Sequence, residues 1–306
     1  MTEIILIGNI ARCGAPVLSE RLRIPHRLVE YHSAVSLDNA EVFVGSPVTA
    51  SMIAGAPKLR LVQVPGAGLD SVDLNALPPH VALCNAFHHE RAIAEYAIMT
   101  MLALERDLFR QDRNLRAGNW ESSCITGPPT VRELAGRTLG IIGFGHIGRE
   151  TARLVEAFDM QIASIGSRGT RAELESLLKA SHHVLIACPL TEQTRGLIGA
   201  TELALMKSDA CLIQVARGEI IDEQALYDAL ASRWIRGAAI DVWYQYPRHG
   251  KPCLPSRLPF HELDNVILTP HSSAWTDRVL EGRFADTAEN IERLVRGEPL
   301  RHMIRG

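Results

Sequence analysis

No stretch of this 306-residue chain approaches the roughly 20 consecutive apolar residues that a membrane-spanning helix needs. Lysine and arginine form no dense run, and 32 basic against 35 acidic residues leave a net charge of -3. Such a balance gives no electrostatic footprint for nucleic acid or an anionic membrane, so the expected partners are small molecules. The six cysteines, Cys13, Cys84, Cys124, Cys188, Cys211 and Cys253, show no C-x-x-C spacing. That spacing argues against a zinc site and a disulfide framework, and it predicts reduced, packed thiols. His88, His89, His182 and His183 read as surface or packing residues, with no metal expected. Met1-Thr2-Glu3 leads directly into Ile4-Ile5-Leu6-Ile7, which reads as a strand and not a signal peptide, so a cytoplasmic location is expected.

What is present is a large apolar fraction, 46% of the residues, distributed in short runs. At roughly 150 residues per domain, the length suggests two domains. Apolar runs at 4–7, 27–31, 42–44, 59–64 and 81–84 alternate with helical or polar segments, the signature of a parallel sheet with crossover helices. A single helix is expected over 92–116, with Ile93, Ala97, Met101, Leu104 and Leu108 on one side, bridging two domains. An irregular connection over 117–129 follows, rich in Gly, Ser and Pro. Strand signals then recur at 161–165, 184–188, 212–215, 238–242 and 266–268, which predicts a second doubly wound unit. A helix over 276–297, carrying Val279, Phe284, Ala288, Ile291 and Leu294, is expected to return to the first domain.

The strongest local signal is Leu139-Gly140-Ile141-Ile142-Gly143-Phe144-Gly145-His146-Ile147-Gly148, an apolar strand running into G-x-G-x-x-G. Ile147, Leu154, Val155 and Phe158 then continue at helical spacing. Gly143 permits the tight turn, Gly145 admits a pyrophosphate close to the backbone, and Gly148 lets helix and strand pack closely. The helix N-terminus offers N–H groups to phosphate. This strand, turn and helix order is the context a dinucleotide-binding turn requires.

Further polar groups fall at predicted strand ends, where open α/β sheets bind ligands: Val215-Ala216-Arg217-Gly218, Ala239-Ile240-Asp241-Val242 and Thr269-Pro270-His271-Ser272. Together with the glycine turn, Cys188-Pro189-Leu190-Thr191, Thr194-Arg195-Gly196 and Gly66-Ala67-Gly68-Leu69-Asp70, they closely resemble the D-2-hydroxyacid dehydrogenase family over nearly the whole chain. The resemblance implies a Rossmann doubly wound parallel-sheet domain over 93–275. It also implies a flavodoxin-like α/β substrate domain formed by both chain ends, 1–92 and 276–306, facing the first across a cleft.

It implies roles too. Arg217 would hold the substrate carboxylate and carbonyl oxygen, His271 would exchange the proton on that oxygen, and the backbone of Ala67 and Gly68 would hold the carboxylate. Cofactor contacts would fall at Gly143, Gly145, His146, Ile147 and Gly148, at Pro189, Thr194, Ala216 and Ser273, and at Asp241 near the nicotinamide amide. The chemistry agrees, since a guanidinium fork suits a carboxylate and imidazole exchanges protons near neutral pH. The expected activity is hydride transfer between the nicotinamide and a 2-oxo acid or D-2-hydroxy acid, with a glyoxylate- or hydroxypyruvate-like reductase as the particular form. The alternative is an NAD(P)H-sensing interaction protein of the same fold. A homodimer joined through the nucleotide-binding domains is expected by the same resemblance.

Two departures stand out. Where the family usually has a glutamate that pairs with the catalytic histidine, this chain reads Asp241-Val242-Trp243-Tyr244-Gln245-Tyr246-Pro247, so Tyr246 takes that place as a substrate-pocket residue. A phenol supplies no charge to stabilise imidazolium, which predicts a lower-titrating His271 unless Glu262, Asp264 or a partner-subunit carboxylate fills the gap. Tyr246 and the segment 248–259 are placed to reshape the pocket, while Trp243, Tyr244 and Trp275 either narrow it or serve as packing. The formate dehydrogenase branch also lacks the glutamate. The second departure lies after the strand at 161–165, where an acidic residue would hold the adenosine ribose of NAD. The chain there reads Gly166-Ser167-Arg168-Gly169-Thr170-Arg171. Ser167, Arg168 and Arg171 suit a 2′-phosphate, so NADP(H) is the preferred cofactor and NAD(H) the alternative.

Overall fold

The computed structural model describes residues 1–120, 130–247 and 251–305. From the N-terminus, β1 (Thr2–Ile7), α1 (Gly8–Arg21), β2 (His26–Glu30), β3 (Ala40–Gly45), α2 (Ala50–Ala54), β4 (Leu61–Gln63) and β5 (Ala82–Cys84) alternate strand and connection. Then come α3 (Glu90–Arg106), α4 (Leu108–Arg116), β6 (Thr138–Ile142), α5 (His146–Val155), β7 (Gln161–Ile165), α6 (Arg171–Ala180), β8 (His183–Ile186), α7 (Ala200–Leu205) and β9 (Cys211–Gln214). The chain ends with α8 (Glu223–Ala231), β10 (Gly237–Ile240), β11 (Val266–Leu268), α9 (Asp277–Arg296) and β12 (Met303–Arg305). Two compact units result: Met1–His88 with Trp275–Gly306, and His89–Ala274.

The first unit carries one six-stranded sheet in the order β12-β5-β4-β3-β1-β2, parallel except for β12, which runs antiparallel to β5. Strands buried on both faces must be apolar at every position, not at alternate ones. In β1, Ile5 and Ile7 pack with Phe43 and Val62 on one face, while Ile4 and Leu6 pack with Phe284 and Ile291 on the other. The helix carrying that second face, α9, starts at Thr276, whose side chain accepts the Val279 N–H, and stops at Gly297 in the left-handed region.

The second unit carries a wholly parallel sheet in the order β11-β10-β9-β8-β6-β7. Chain direction across this sheet reverses at β6, which lies between β7 and β8, so the turn after β6 stands at the topological switch point. Leu139, Ile141, Leu185 and Ile213 pack on one face with α3 residues Ile93, Ala97 and Met101, and Ile142, Val184, Ile186 and Leu212 pack on the other.

The structure corrects several local expectations. The helix expected over 92–116 is two helices, because Asp107 adopts φ 51 and ψ 40, ending α3 and starting α4. Asp tolerates this conformation without glycine, so no breaker was visible in the sequence. Ile93, Ala97 and Met101 are buried as expected, whereas Leu108, beyond the break, is exposed. Cys84, Cys188 and Cys211 are buried free thiols, with burial raising their pKa to about 12, 11 and 12, but Cys13 and Cys253 are exposed. Cys124 and most of the connection expected over 117–129 lie outside the described residues, as do residues 248–250. Among the described residues no helix is long and apolar enough to cross a membrane, and no cluster of His, Cys, Asp and Glu is arranged to hold a metal.

Candidate active site

The glycine turn joins the end of β6 to the N-terminus of α5. Gly143 has φ 102, and a Cβ there would stand 2.4 Å from the Cys188 nitrogen. A Cβ on Gly148 would approach the Gly143 carbonyl oxygen to 2.5 Å, so both positions are confined by backbone. Gly145 is the reverse case: nothing lies within 4 Å of its Cβ direction, and it is exposed. The ten-residue helix α5 starts directly after this open position, with His146 and Ile147 in its first turn, so a phosphate there would sit at a helix N-terminus. The cradle fits a dinucleotide pyrophosphate. Its rim comes from the β8 loop, where Thr194 Oγ1 donates to the Pro189 carbonyl at 2.7 Å and accepts the Thr191 N–H at 2.7 Å.

Residues 166–169 form a tight turn closed by the Gly169 N–H on the Gly166 carbonyl at 3.0 Å, leaving Ser167 and Arg168 exposed. No acidic residue stands in this turn. Thr170 caps α6 through a reciprocal capping box with Glu173. Arg171 behaves differently from Arg168: it pairs with Glu175 at 3.2 Å and with Glu202, so its charge is already compensated.

Arg217 follows β9 in a turn built by a buried glutamine. Gln214 Nε2 donates to the Arg217 carbonyl at 2.8 Å, and Gln214 Oε1 accepts the Ala216 N–H at 3.1 Å. The Arg217 guanidinium rests against the Ala216 carbonyl at 2.7 Å. Gly218 allows this turn to lie on the Trp243 backbone, since a Cβ would come within 2.6 Å of the Trp243 carbonyl oxygen.

His271 has φ 57, a left-handed conformation unfavourable for a residue with a Cβ. Asp241 holds it there. The fully buried Asp241 carboxylate accepts the Thr269 hydroxyl at 2.6 Å, the Ser272 N–H at 2.8 Å and the Ser273 N–H at 3.0 Å, clamping both sides of His271. Because Thr269 gives its proton to Asp241, Tyr96 donates to Thr269, at 2.8 Å. Burial pushes the Tyr96 phenol up to about 12, keeping it a donor. Trp243 Nε1 donates to the Thr269 carbonyl at 2.8 Å, completing the brace.

Tyr246 and His271 do come together, with ring centroids 5.6 Å apart and planes inclined by 57°. The Tyr246 oxygen accepts the Trp243 N–H at 3.1 Å, and burial raises its pKa, so the phenol stays neutral. Of the carboxylates considered as substitutes for the glutamate, Asp264 pairs with Arg233, and Glu262 lies 3.9 Å from His261.

Ala67 and Gly68 belong to the other unit. Their loop is held at its carbonyls: Asn85 Nδ2 donates to Ala67 and the Ala86 N–H to Gly66, each at 3.1 Å. Sequence reasoning did not single out Gln214, Tyr96 or Asn85, since none belongs to a local motif, and it gave Thr269 no role within the Thr269-Pro270-His271-Ser272 run; only the hydrogen bonds reveal them.

An open parallel sheet with a dinucleotide cradle at its switch point, and an arginine and a histidine fixed after strands β9 and β11 of the same sheet, defines a nucleotide-dependent α/β oxidoreductase. The family model for the D-isomer specific 2-hydroxyacid dehydrogenase NAD-binding domain matches residues 98–273. The chain is 33% identical over 316 residues to the D-3-phosphoglycerate dehydrogenase of Methanocaldococcus jannaschii, covering 97% of this chain and 58% of that one. It is 32% identical over 298 residues to the glyoxylate reductase of Pyrococcus furiosus, covering 92% and 86%. The NAD-dependent formate dehydrogenase of Staphylococcus aureus, solved with NAD, superposes with a TM-score of 0.79 at 26% identity over 100% and 99% of the two chains. The chain thus belongs to the D-isomer specific 2-hydroxyacid dehydrogenase family, enzymes that work with a nicotinamide dinucleotide.

Proposed function

We propose that this protein reduces a small 2-oxo acid to the D-2-hydroxy acid with NADPH, and acts as a homodimer. The observation that carries the reading is the brace that fixes His271 in a left-handed conformation through Asp241, in the same sheet whose β9 end carries an arginine turn built by Gln214. Holding a side chain in so unfavourable a backbone state costs about 1–3 kcal/mol, an arrangement that reads as function and not as packing. The similarity to glyoxylate reductases supports a short 2-oxo acid.

When bound, the dinucleotide supplies a hydride to the substrate's carbonyl carbon. The chain supplies the rest. In the first unit the N–H groups of Ala67 and Gly68 lie in a loop suited to a carboxylate, and in the second unit Arg217 is suited to hold a carboxylate and polarise the carbonyl oxygen next to it. Imidazolium at His271 gives its proton to that oxygen as the carbon–oxygen π bond opens, leaving a hydroxyl and neutral imidazole. Ser167 and Arg168 favour the 2′-phosphate of NADPH, in a turn that offers no carboxylate to the ribose of NADH.

The test is the loss of nicotinamide absorbance with purified protein, NADPH and NADH in parallel, against glyoxylate, hydroxypyruvate, pyruvate and bulkier 2-oxo acids. Turnover dominated by NADPH is expected. Dominance of NADH would overturn the cofactor assignment, and tight cofactor binding without turnover would favour a sensing role.

A further inference from the structure

The loop at 66–68 is tied to a chain of buried amide side chains that runs through the first unit to α9 and the C-terminal strand. The Asn85 carbonyl accepts Gln63 Nε2 at 3.1 Å, and the same nitrogen lies 3.3 Å from the Val64 carbonyl. Gln63 Oε1 accepts Asn290 Nδ2 at 2.7 Å. The Asn290 side chain also clasps the backbone of Arg301, accepting its N–H at 2.8 Å and donating to its carbonyl at 3.0 Å. The Asn85 N–H reaches the His302 carbonyl at 3.3 Å, so the two residues that lead into β12 are both joined to this network. Gln63 and Asn290 are fully buried, and Asn85 nearly so.

The consequence lies at the loop. Its carbonyls at Gly66 and Ala67 are drawn toward residues 85–86, while the N–H groups of Ala67 and Gly68 donate to no acceptor among the described residues. Successive backbone N–H groups with their carbonyls turned away form an anion-binding concavity. Asn85 Oδ1 is buried without a partner, so the orientation of this amide is set by its donor on Ala67 and not by satisfaction of both ends. At position 63 an amide is required in full: its oxygen meets a donor and its nitrogen meets two acceptors, and no aliphatic side chain of that size does either.

We propose that Gln63, Asn290 and Asn85 are positioning residues for the substrate carboxylate. They transmit the placement of α9 and β12 to the 66–68 loop and keep its N–H groups presented. The proposal rests on the reading that this loop takes the carboxylate of a 2-oxo acid.

Gln63→Met preserves length and volume while removing both hydrogen-bonding ends, and Asn85→Ala cuts the chain at the loop itself. In either variant that melts cooperatively, KM for glyoxylate is expected to rise about tenfold or more, as for a misplaced binding group, with kcat changed much less. The dissociation constant for NADPH, whose cradle lies in the other unit, stays within about twofold. An unchanged KM in folded Gln63→Met protein, or an equal loss of NADPH affinity, overturns the proposal. Calorimetric titration of the NADPH-loaded proteins with oxalate separates this inference from the reductase reading. Oxalate bound by the parent chain and lost in Gln63→Met, without turnover of any 2-oxo acid, sinks the reductase reading and upholds the positioning role. Oxalate bound equally by both sinks the positioning role, and oxalate bound by neither sinks both.

Discussion

Tyr246 puts a neutral ring beside His271, and a neutral neighbour at this place has a consequence that is measurable in proton chemistry. Burial raises the pKa of its phenol, and the Trp243 N–H fixes its oxygen, so it contributes no charge at neutral pH. The two rings lie 5.6 Å apart centre to centre, so a carboxylate introduced at position 246 favours imidazolium. Reduction requires the protonated ring, so activity is present below the histidine pKa and lost as pH rises through it. Tyr246→Glu is therefore expected to move the alkaline limb of kcat/KM upward by about one pH unit or more. A limb that stays in place would show that position 246 does not tune the proton donor. Arg168 allows an equally local test. It is exposed and lies in a turn without acidic residues, unlike Arg171, which Glu202 and Glu175 engage. Arg168→Ala should weaken NADPH by about 10- to 100-fold, the worth of one charge-assisted hydrogen bond, and leave NADH unchanged. Equal effects on both cofactors, read by fluorescence titration, would place the 2′-phosphate elsewhere.

Between elements, the end of α3 shows what joins helix to sheet in the second unit. Glu105 is fully buried, its carboxylate 2.8 Å from Arg236 before β10, 3.7 Å from Arg137 before β6 and 2.9 Å from His183 in β8. Burial alone would raise its pKa, but His183, Arg236 and Arg137 outweigh that and hold it below the usual carboxylate value. A lowered folded-state pKa means that its stabilisation is complete above the unfolded value and is lost as pH falls through the folded one. Glu105→Gln is expected to cost about 3 kcal/mol or more in urea unfolding at neutral pH, because Arg236 is left without its buried partner. The variant should also lose the part of the acid-side decline that Glu105 causes. A stability within 1 kcal/mol of the parent, roughly the worth of a surface pair, would refute this account. None of this junction was legible in the sequence, where Glu105, Arg137, His183 and Arg236 are scattered polar residues. The strands and the glycine turn were legible because their signals are local: continuous apolar runs and glycines at fixed spacing. The break at Asp107 carries no Gly or Pro, and β12 is short, exposed and defined only by its pairing with β5. Arg217 and His271 stood out by their pattern at strand ends, but the side chains that fix them, Gln214 and Asp241 with Thr269, act through contacts that no spacing announces.

For the whole molecule, the face of the second unit formed by α3 and α4 bears on assembly. Ile98, Met99, Leu102, Leu108, Phe109 and Phe158 line an apolar groove of about 740 Å³. Met99, Leu108 and Phe109 are each at least half exposed, in a chain whose other large side chains of this kind are mostly buried. A contiguous patch of this sort on a monomer is uncommon and marks an interaction surface. We propose a second copy of the chain as the occupant, in line with the homodimer expected from the family resemblance. In a two-fold dimer each substitution is present twice, once on either side of the axis, so one introduced charge is buried at two places. Phe109→Glu is accordingly expected to convert a parent of twice the chain mass into a monomer in light scattering. The parent itself should stay dimeric when salt is raised to about 1 M, since screening weakens exposed ion pairs and not apolar burial. A parent that scatters as a monomer at micromolar concentration would remove the second copy as the occupant of this groove. If Phe109→Glu remained dimeric, the two-fold contact would have to lie on another face.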